Sequence, residues 1–293
     1  MKDPYEVLEG AIDIHVHGLP DLFDRPLTYK QIAKQAEEKG YRGILFKSHF
    51  TTNAPQLSII ESEFKNIQLF SNITLNLSVG GINPEAVFSA IQFGVSEIKM
   101  PTVHAANHLK IHGSPTYPWS GNVNIKERKV EGIEIISKEG NLLPQVLEIL
   151  DMVADSDVIL GTGHLSTPEI MVLVAEARRA GVEKIVVTHA DIDTTLIPIE
   201  NQKKLADMGA IIEHSFTPCM PLRQRLDPRK IAEAIKAVGA SRCVMSSDFG
   251  QIQNPLPIEG LRMYVEMMKK CGVSEKEINI MIKDNPAKLV GLE

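Results

Sequence analysis

The run Ala11-Ile12-Asp13-Ile14-His15-Val16-His17 combines β-branched residues with two histidines spaced two apart, and Gly18 follows it. Ala11–Val16 reads as a strand, because branched side chains favour a pleated, buried surface. Residues two apart on a strand share a face, so His15 and His17 point the same way at its carboxyl end. Seven further runs of the same kind follow: Gly43–Lys47, Ile73–Val79, Val95–Met100, Val158–Gly161, Lys184–Thr188, Ala210–Glu213 and Arg242–Ser246. Most are Val-, Ile- or Leu-rich throughout, as strands buried on both faces are.

Segments of helical period lie between these runs. Tyr29–Lys39 stops at Gly40. Asn83-Pro84 opens a helix ending near Gly94, Thr167-Pro168 one that runs to Gly181, and Asp227-Pro228 one that ends near Gly239. A polar cap followed by proline in the first turn and glycine beyond the last is the expected punctuation. Strand alternating with helix implies a parallel sheet with right-handed crossovers. Eight such units in 293 residues point to an α/β chain folded as a (β/α)8 TIM barrel, whose usual length is roughly 250 residues. An open doubly wound sheet is the alternative. Two features depart from the repeat. Residues 101–143 form a long excursion after strand four, with His104, His108, His112, Tyr117, Pro118 and Trp119 in it and a hairpin-like stretch at Val130–Ile136 turning over Lys138–Asn141. Loops this long inside a barrel are usually functional lids or disordered. Extra C-terminal helices follow at Leu256–Lys270 and Ser274–Lys283, before a short last one. No linker or low-complexity tract divides the chain, so residues 1–293 read as one domain.

Composition narrows the function classes. The formal charge is −6, with 43% apolar and 23% charged residues. A mildly acidic chain without a basic cluster argues against nucleic-acid binding. No apolar run approaches the roughly 20 residues of a membrane span. MKDPYEVLEG lacks an apolar signal-peptide core, and Cys219, Cys243 and Cys271 form neither a CxxC pair nor a disulfide framework. The expectation is a cytoplasmic protein with reduced thiols. Homo-oligomerisation is expected only from its general frequency.

Six of the nine histidines fall in or just beyond a strand's carboxyl end: His15, His17, His49, His164, His189 and His214. Asp248 stands in the equivalent place after strand eight. Catalytic groups of a TIM barrel come from that end. Neutral imidazole is the commonest divalent-metal ligand, and a catalytic site needs about three protein ligands. HxH alone is a moderate signal. It becomes specific together with Gly161-Thr162-Gly163-His164, Val187-Thr188-His189 and Ser246-Ser247-Asp248. Lys47 and His49 share parity at the end of strand two, where a cation suits a substrate carboxylate or phosphate; a solvated lysine is the other reading. His104, His108 and His112 recur every four residues, which on a helix is one face; His108 is the preferred substrate contact or further ligand among them. Glu213-His214 reads either as support behind the metal or as a rim histidine. Arg223 and Arg225 read as surface arginines before contacts to an anionic substrate.

In this order and at these strand ends, the pattern resembles the amidohydrolase superfamily: HxH on strand one, histidines after strands five and six, and an aspartate after strand eight. Asp284-Asn285-Pro286-Ala287-Lys288-Leu289-Val290-Gly291-Leu292 is similar to its closing helix, with Asn as cap and Pro in the first turn. The resemblance implies one or two divalent ions, Zn2+ by default, held by His15, His17, His164, His189 and Asp248. Members with two ions bridge them with a carboxylated lysine or a glutamate at the end of strand four; Lys99 and Glu97 stand there, and a salt-bridging Lys99 is the other reading. The implied activity is hydrolysis of a small amide, ester or lactone, or phosphoester, with deaminase and decarboxylase chemistry also on this scaffold. Water activated by the metal attacks, Asp248 moves the proton, and His189 polarises the substrate. Two rivals stand beside it: a metal-free lyase using Lys47 or Lys99 as a Schiff-base amine, and a non-catalytic metal-binding barrel. The partner is a small molecule, anionic where Lys47 reaches it.

Overall fold

The computed structural model describes residues 4–116 and 130–292. Among the described residues nine short parallel strands run β1 (Ile12–Val16), β2 (Gly43–Phe46), β3 (Gln68–Phe70), β4 (Asn72–Thr74), β5 (Glu97–Lys99), β6 (Ile159–Gly161), β7 (Ile185–Val187), β8 (Ile211–Ser215) and β9 (Cys243–Ser246). They hydrogen-bond in chain order, β1-β2-β3 and β4 through β9. Only Ser71 separates β3 from β4, so the two are one interrupted stave and the ring has eight. At the seam, the Asp248 N–H donates to the His15 carbonyl at 2.9 Å and the His17 N–H to the Phe249 carbonyl at 2.8 Å. Val16 and Phe249 form a parallel bridge there. The (β/α)8 architecture is thus as the alternation implies, and its last closing bonds are made by the segments that carry His15, His17 and Asp248.

Helices α1 (Tyr29–Glu38), α2 (Ala54–Ile60), α3 (Pro84–Gln92), α4 (Ala106–His112), α5 (Pro144–Ser156), α6 (Thr167–Arg179), α7 (Ile199–Asp207) and α8 (Pro228–Val238) follow the strands. Their starts are chemically marked. Thr28 and Gln31 form a capping box on α1, Asn83 accepts from the Glu85 and Ala86 N–H groups, and Asp227 accepts from Arg229. At α6 the cap is Ser166, boxed with Glu169, one residue before the expected Thr167. The apolar faces of the helices pack on the outer side of the strands: Ile32, Val87, Ile149, Leu173, Leu205 and Ile231 share one buried cluster with Ile44, Ile98, Leu160 and Ile212. A smaller cluster fills the ring's lower interior, where Ile12, Ile14, Leu45, Phe70, Ile159, Val186 and Val244 meet Ala287 and Leu289. Those last two come from α11 (Asn285–Val290), which follows α9 (Pro257–Lys270), α10 (Glu275–Asn279) and a π-turn at Ile280–Asp284. Among the described residues no helix is long and apolar enough to cross a membrane.

Three sequence expectations are corrected, and a fourth in part. The third stave begins at Gln68, and Leu77–Val79 is a 3-10 turn beyond its end. Polar Asn66 and Gln68 disguise its entry. Its end is hidden because Asn72 and Asn76 are buried hydrogen-bond hubs, Asn72 accepting the Ser48 N–H at 2.8 Å and Asn76 accepting the Thr102 N–H at 2.9 Å. Asn285 does not cap the last helix. Its amide donates to the carbonyls of Ala240 and Cys243, at 2.9 and 2.7 Å, and so pins α11 to the entry of β9. Finally, His104 precedes α4, so only His108 and His112 lie on that helix. Of the expected hairpin, only the turn over Lys138–Asn141 forms, closed by an isolated antiparallel bridge from Ile136 to Leu142; Val130–Ile136 is no strand and bridges Ala105 through Ile133 instead. The excursion is tied to the barrel mouth by the Asn107 amide, which donates to the carbonyls of His164 and Thr194. Tyr117, Pro118 and Trp119 lie outside the described residues.

Gly163 shows how tightly the mouth is built. Its φ is +62°, and a Cβ there would strike the carbonyl oxygens of Met100 and Pro101. That close approach lets the His164 N–H donate to Pro101 at 2.9 Å. Left-handed strain and backbone collision together should make Gly163→Ala destabilising by roughly 2–4 kcal/mol. Urea denaturation measures it, and an unchanged midpoint would contradict this close-packed mouth.

Candidate metal centre

The first strand carries a one-residue irregularity that creates the site. Between Asp13, paired with Ile44, and Val16, paired with Phe46, β1 has one residue more than β2. Such a bulge reverses the facing of the residues beyond it. Ile12 and Ile14 therefore belong to the apolar filling of the ring, and His15 and His17 still turn into its mouth. A regular strand would have sent the histidines to the side opposite Ile12 and Ile14.

His15 Nδ1 lies 2.7 Å from Glu213 Oε1. Glu213 is further held by the Ser246 hydroxyl, which donates to the same oxygen at 2.7 Å. A carboxylate only accepts, so His15 carries its proton on Nδ1 and presents a lone pair at Nε2. That nitrogen is buried, has no hydrogen-bond partner, and faces Asp248 Oδ1 at 3.4 Å. Two acceptors facing each other without a proton between them suit a cation. The ligand atoms of His15, His189 and Asp248 all lie within 4.8 Å of one another. The set is one of neutral imidazoles and a carboxylate, which fits a divalent transition-metal ion. Burial holds His15, His17, His49, His164 and His189 well below the ordinary histidine range, so all five are neutral.

His17 stands differently. The Arg25 guanidinium Nη2 is 3.3 Å from His17 Nδ1, and a guanidinium only donates. His17 thus accepts at Nδ1 and directs its Nε2–H to Asp248 Oδ1, 3.1 Å away. Asp21 holds Arg25 in turn, at 2.7 Å. Arg25 and Asp21 went unremarked in the sequence; their position in the long loop after the first strand is the signal that would have found them.

His189 and Asp248 both sit at left-handed φ, +54° and +53°. Side-chain-bearing residues there are strained and are held by their surroundings. The Thr195 hydroxyl donates to the His189 carbonyl, and the Asp248 carbonyl receives the Thr217 hydroxyl at 2.7 Å and the Gln251 amide at 2.8 Å. Burial raises the Asp248 carboxyl to about 7, against the lowering effect of Lys47.

The other expected site residues surround this group. His164 packs beside His189, ring centroids 5.5 Å apart, with its Nδ1 2.9 Å from His108 Nδ1; it is outside the three-residue group. His49 stacks on His17 at 5.1 Å, and its Nδ1 meets the Thr102 hydroxyl at 2.9 Å. Lys99 is ion-paired to Glu97 at 3.1 Å, deep beside Gly161. Lys47 lines a cavity of about 580 Å3, open mouth included, together with His17, His49, His164, His189 and Asp248. Arg223 also lines it, with its side chain buried and paired to Asp193 at 2.9 Å, which corrects the reading of a surface arginine. Arg225 is exposed.

Three comparisons bear on this arrangement. The model of a family of unknown function (DUF6282) matches residues 10–213. The chain belongs to that family. The match takes in His15 through Glu213 and stops short of Asp248. No curated protein matches the chain in sequence. Among solved structures, an amidohydrolase from Pseudomonas aeruginosa superposes with a TM-score of 0.62 at 11% identity, covering 99% of each chain. A lactonase from Listeria monocytogenes gives 0.58 at 13% identity, over 99% of this chain and 96% of that one. The phosphotriesterase homology protein from Escherichia coli, complexed with phosphate in its active site, gives 0.57 at 14%, over 96% and 98%. At these identities the likeness is one of fold: this member of the family shares the barrel of these three proteins over nearly its whole length.

His214, next to Glu213, faces the other way and serves stability. Its Nδ1 pairs with Asp191 at 2.6 Å. Burial alone would lower the imidazole, but the Asp191 carboxylate outweighs it and carries the group up to about 10. A raised histidine stabilises the fold fully below its ordinary value of 6.5, and that contribution is lost as pH rises through about 10. Asp191→Asn should therefore cost roughly 3–5 kcal/mol at neutral pH, with the difference from wild type closing above pH 10. Denaturation at a series of pH values reads both, and a difference that stays constant with pH would contradict the pair.

Proposed function

We propose that this protein is a metal-dependent hydrolase of a small molecule, with a divalent ion held by His15, His189 and Asp248. The observation that carries this reading is the lone-pair nitrogen of His15, buried without a partner and facing Asp248 Oδ1 at 3.4 Å. The barrel shared with an amidohydrolase, a lactonase and a phosphotriesterase homology protein supports it. Zn2+ is the default ion for such a donor set.

When bound, the ion supplies Lewis acidity to water and to a carbonyl or phosphoryl oxygen. The remaining work belongs to the chain. Glu213 fixes the His15 tautomer, and the bulge in β1 aims the ring. Asp248 Oδ1 is held by the His17 Nε2–H, which leaves Oδ2 to take the proton of the attacking water and return it to the leaving group. His17 is itself oriented by Arg25, so the Arg25–His17–Asp248 chain positions the base. Phe23 and Ile192 contribute apolar wall to the cavity and limit water around the scissile amide, ester or phosphoester bond.

Elemental analysis of protein purified without chelator, followed by a panel of amide, lactone and phosphoester substrates, tests the reading. About one equivalent of metal is expected per chain. His15→Ala should abolish it, whereas His17→Ala should keep metal with affinity lowered by about 10- to 100-fold, as loss of a residue supporting a ligand does. Wild-type protein that takes up neither Zn2+ nor Mn2+ would overturn the hydrolase. It would favour Lys47 as a Schiff-base amine instead, since burial brings that amine down to about 7.

A further inference from the structure

Among the described residues three cations, Arg25, Lys47 and Arg223, line the cavity, and they are not equivalent. Arg25 is neutralised by Asp21 and Arg223 by Asp193, each at hydrogen-bond distance. Lys47 is only 1% exposed and has neither an ion-pair nor a hydrogen-bond partner among the described residues. An ammonium taken out of water without a counter-ion costs several kcal/mol. Such a group persists where something else supplies the negative charge.

The local charge balance indicates what that is. Three carboxylates, Glu97, Glu213 and Asp248, and one other cation, Lys99, act on Lys47, and Asp24 lines the same cavity. The three carboxylates act on Lys47 only through space and raise its proton affinity; burial and the Lys99 charge oppose them. A divalent ion at His15, His189 and Asp248 would engage the Asp248 carboxylate and bring two positive charges into the same cavity. The loaded site is then more positive, and among the described residues Lys47 is the lining cation with no direct partner.

We infer that the substrate carries an anionic group, a carboxylate or a phosphate, that seats on the Lys47 ammonium inside this cavity. The inference rests on the metal-dependent reading of the same site and specifies its substrate class. Lys47 belongs to β2's end and the metal group to β1, β7 and β9, so the anchor and the reacting bond occupy different walls of one cavity. An anion there also keeps the amine protonated, and an ammonium without its anion would drift towards the neutral form. The charge at Lys47 therefore selects among small molecules that the hydrolytic groups alone would treat alike.

Titration calorimetry of the metal-loaded protein with inorganic phosphate and, separately, succinate tests this, beside Lys47→Met and Lys47→Arg. Metal content and melting temperature are measured on each variant, so that loss of fold or ion is recognised. The expected result is binding of at least one anion, weakened at least about tenfold in Lys47→Met with metal retained, and partly kept in Lys47→Arg. Phosphate alone would assign a phosphate-bearing substrate, succinate alone a carboxylate. Undiminished binding by Lys47→Met would show the anion resting on the ion itself and overturn the inference, as would a wild type that binds neither probe. Failure to take up metal is read separately by elemental analysis and counts against the hydrolase. Lys47-dependent anion binding is then judged on that same protein.

Discussion

The hydrogen bond from His15 Nδ1 to Glu213 Oε1, 2.7 Å long and buried, is the interaction on which the mouth of this barrel turns. It joins the first strand to the eighth across the ring interior. It also decides which nitrogen of His15 bears the proton, and through that which one looks at Asp248. A neutral imidazole with a fixed tautomer is a directional ligand, and one without is merely a buried polar group. The Ser246 hydroxyl on the neighbouring strand donates to the same carboxylate oxygen, so three strands agree on one orientation.

Around that bond the mouth is a lattice of paired charges. Lys99 has Glu97, Arg25 has Asp21, Arg223 has Asp193 and His214 has Asp191. Such pairs rarely add much net stability when buried, but each is expensive to break. Their effect here is positional. Arg25 can hold His17 because Asp21 holds Arg25, and the Asp248 carboxylate inherits its orientation from the pair. The two residues at the centre, His189 and Asp248, accept left-handed backbone for the same purpose. The hydroxyls of Thr195 and Thr217 bond their carbonyls.

The family match and the barrel likeness describe different parts of this architecture. The family of unknown function spans residues 10–213, the staves that carry His15, His164, His189 and Glu213. The structural neighbours, at 11–14% identity, share the whole ring. A barrel tolerates such divergence because its interior asks for apolar volume and its helices for periodicity, whereas loops beyond the strand ends are free to vary.

The amino-acid order alone determined the architecture. Eight apolar runs alternating with capped helical segments admit few arrangements, and histidines gathered at strand ends mark which end of the barrel holds the candidate site. HxH and Asp248 were legible because each lies beside a strong strand signal. What the tertiary structure decided is the facing and the proton. The bulge at Asp13–Val16 is invisible in AIDIHV, since nothing in those residues says that β1 has one more residue than its partner. The tautomers of His15 and His17 depend on Glu213 and Arg25, which are 198 and 8 residues away. The third stave was misplaced because polar Asn66, Gln68 and Asn72 interrupt its entry while Leu75, Leu77 and Val79 extend the apolar alternation past its end, and only neighbours supplied by other staves make Asn72 and Asn76 buried hubs. Composition and period are properties of a segment; register, tautomer and counter-charge are properties of what another segment brings to it.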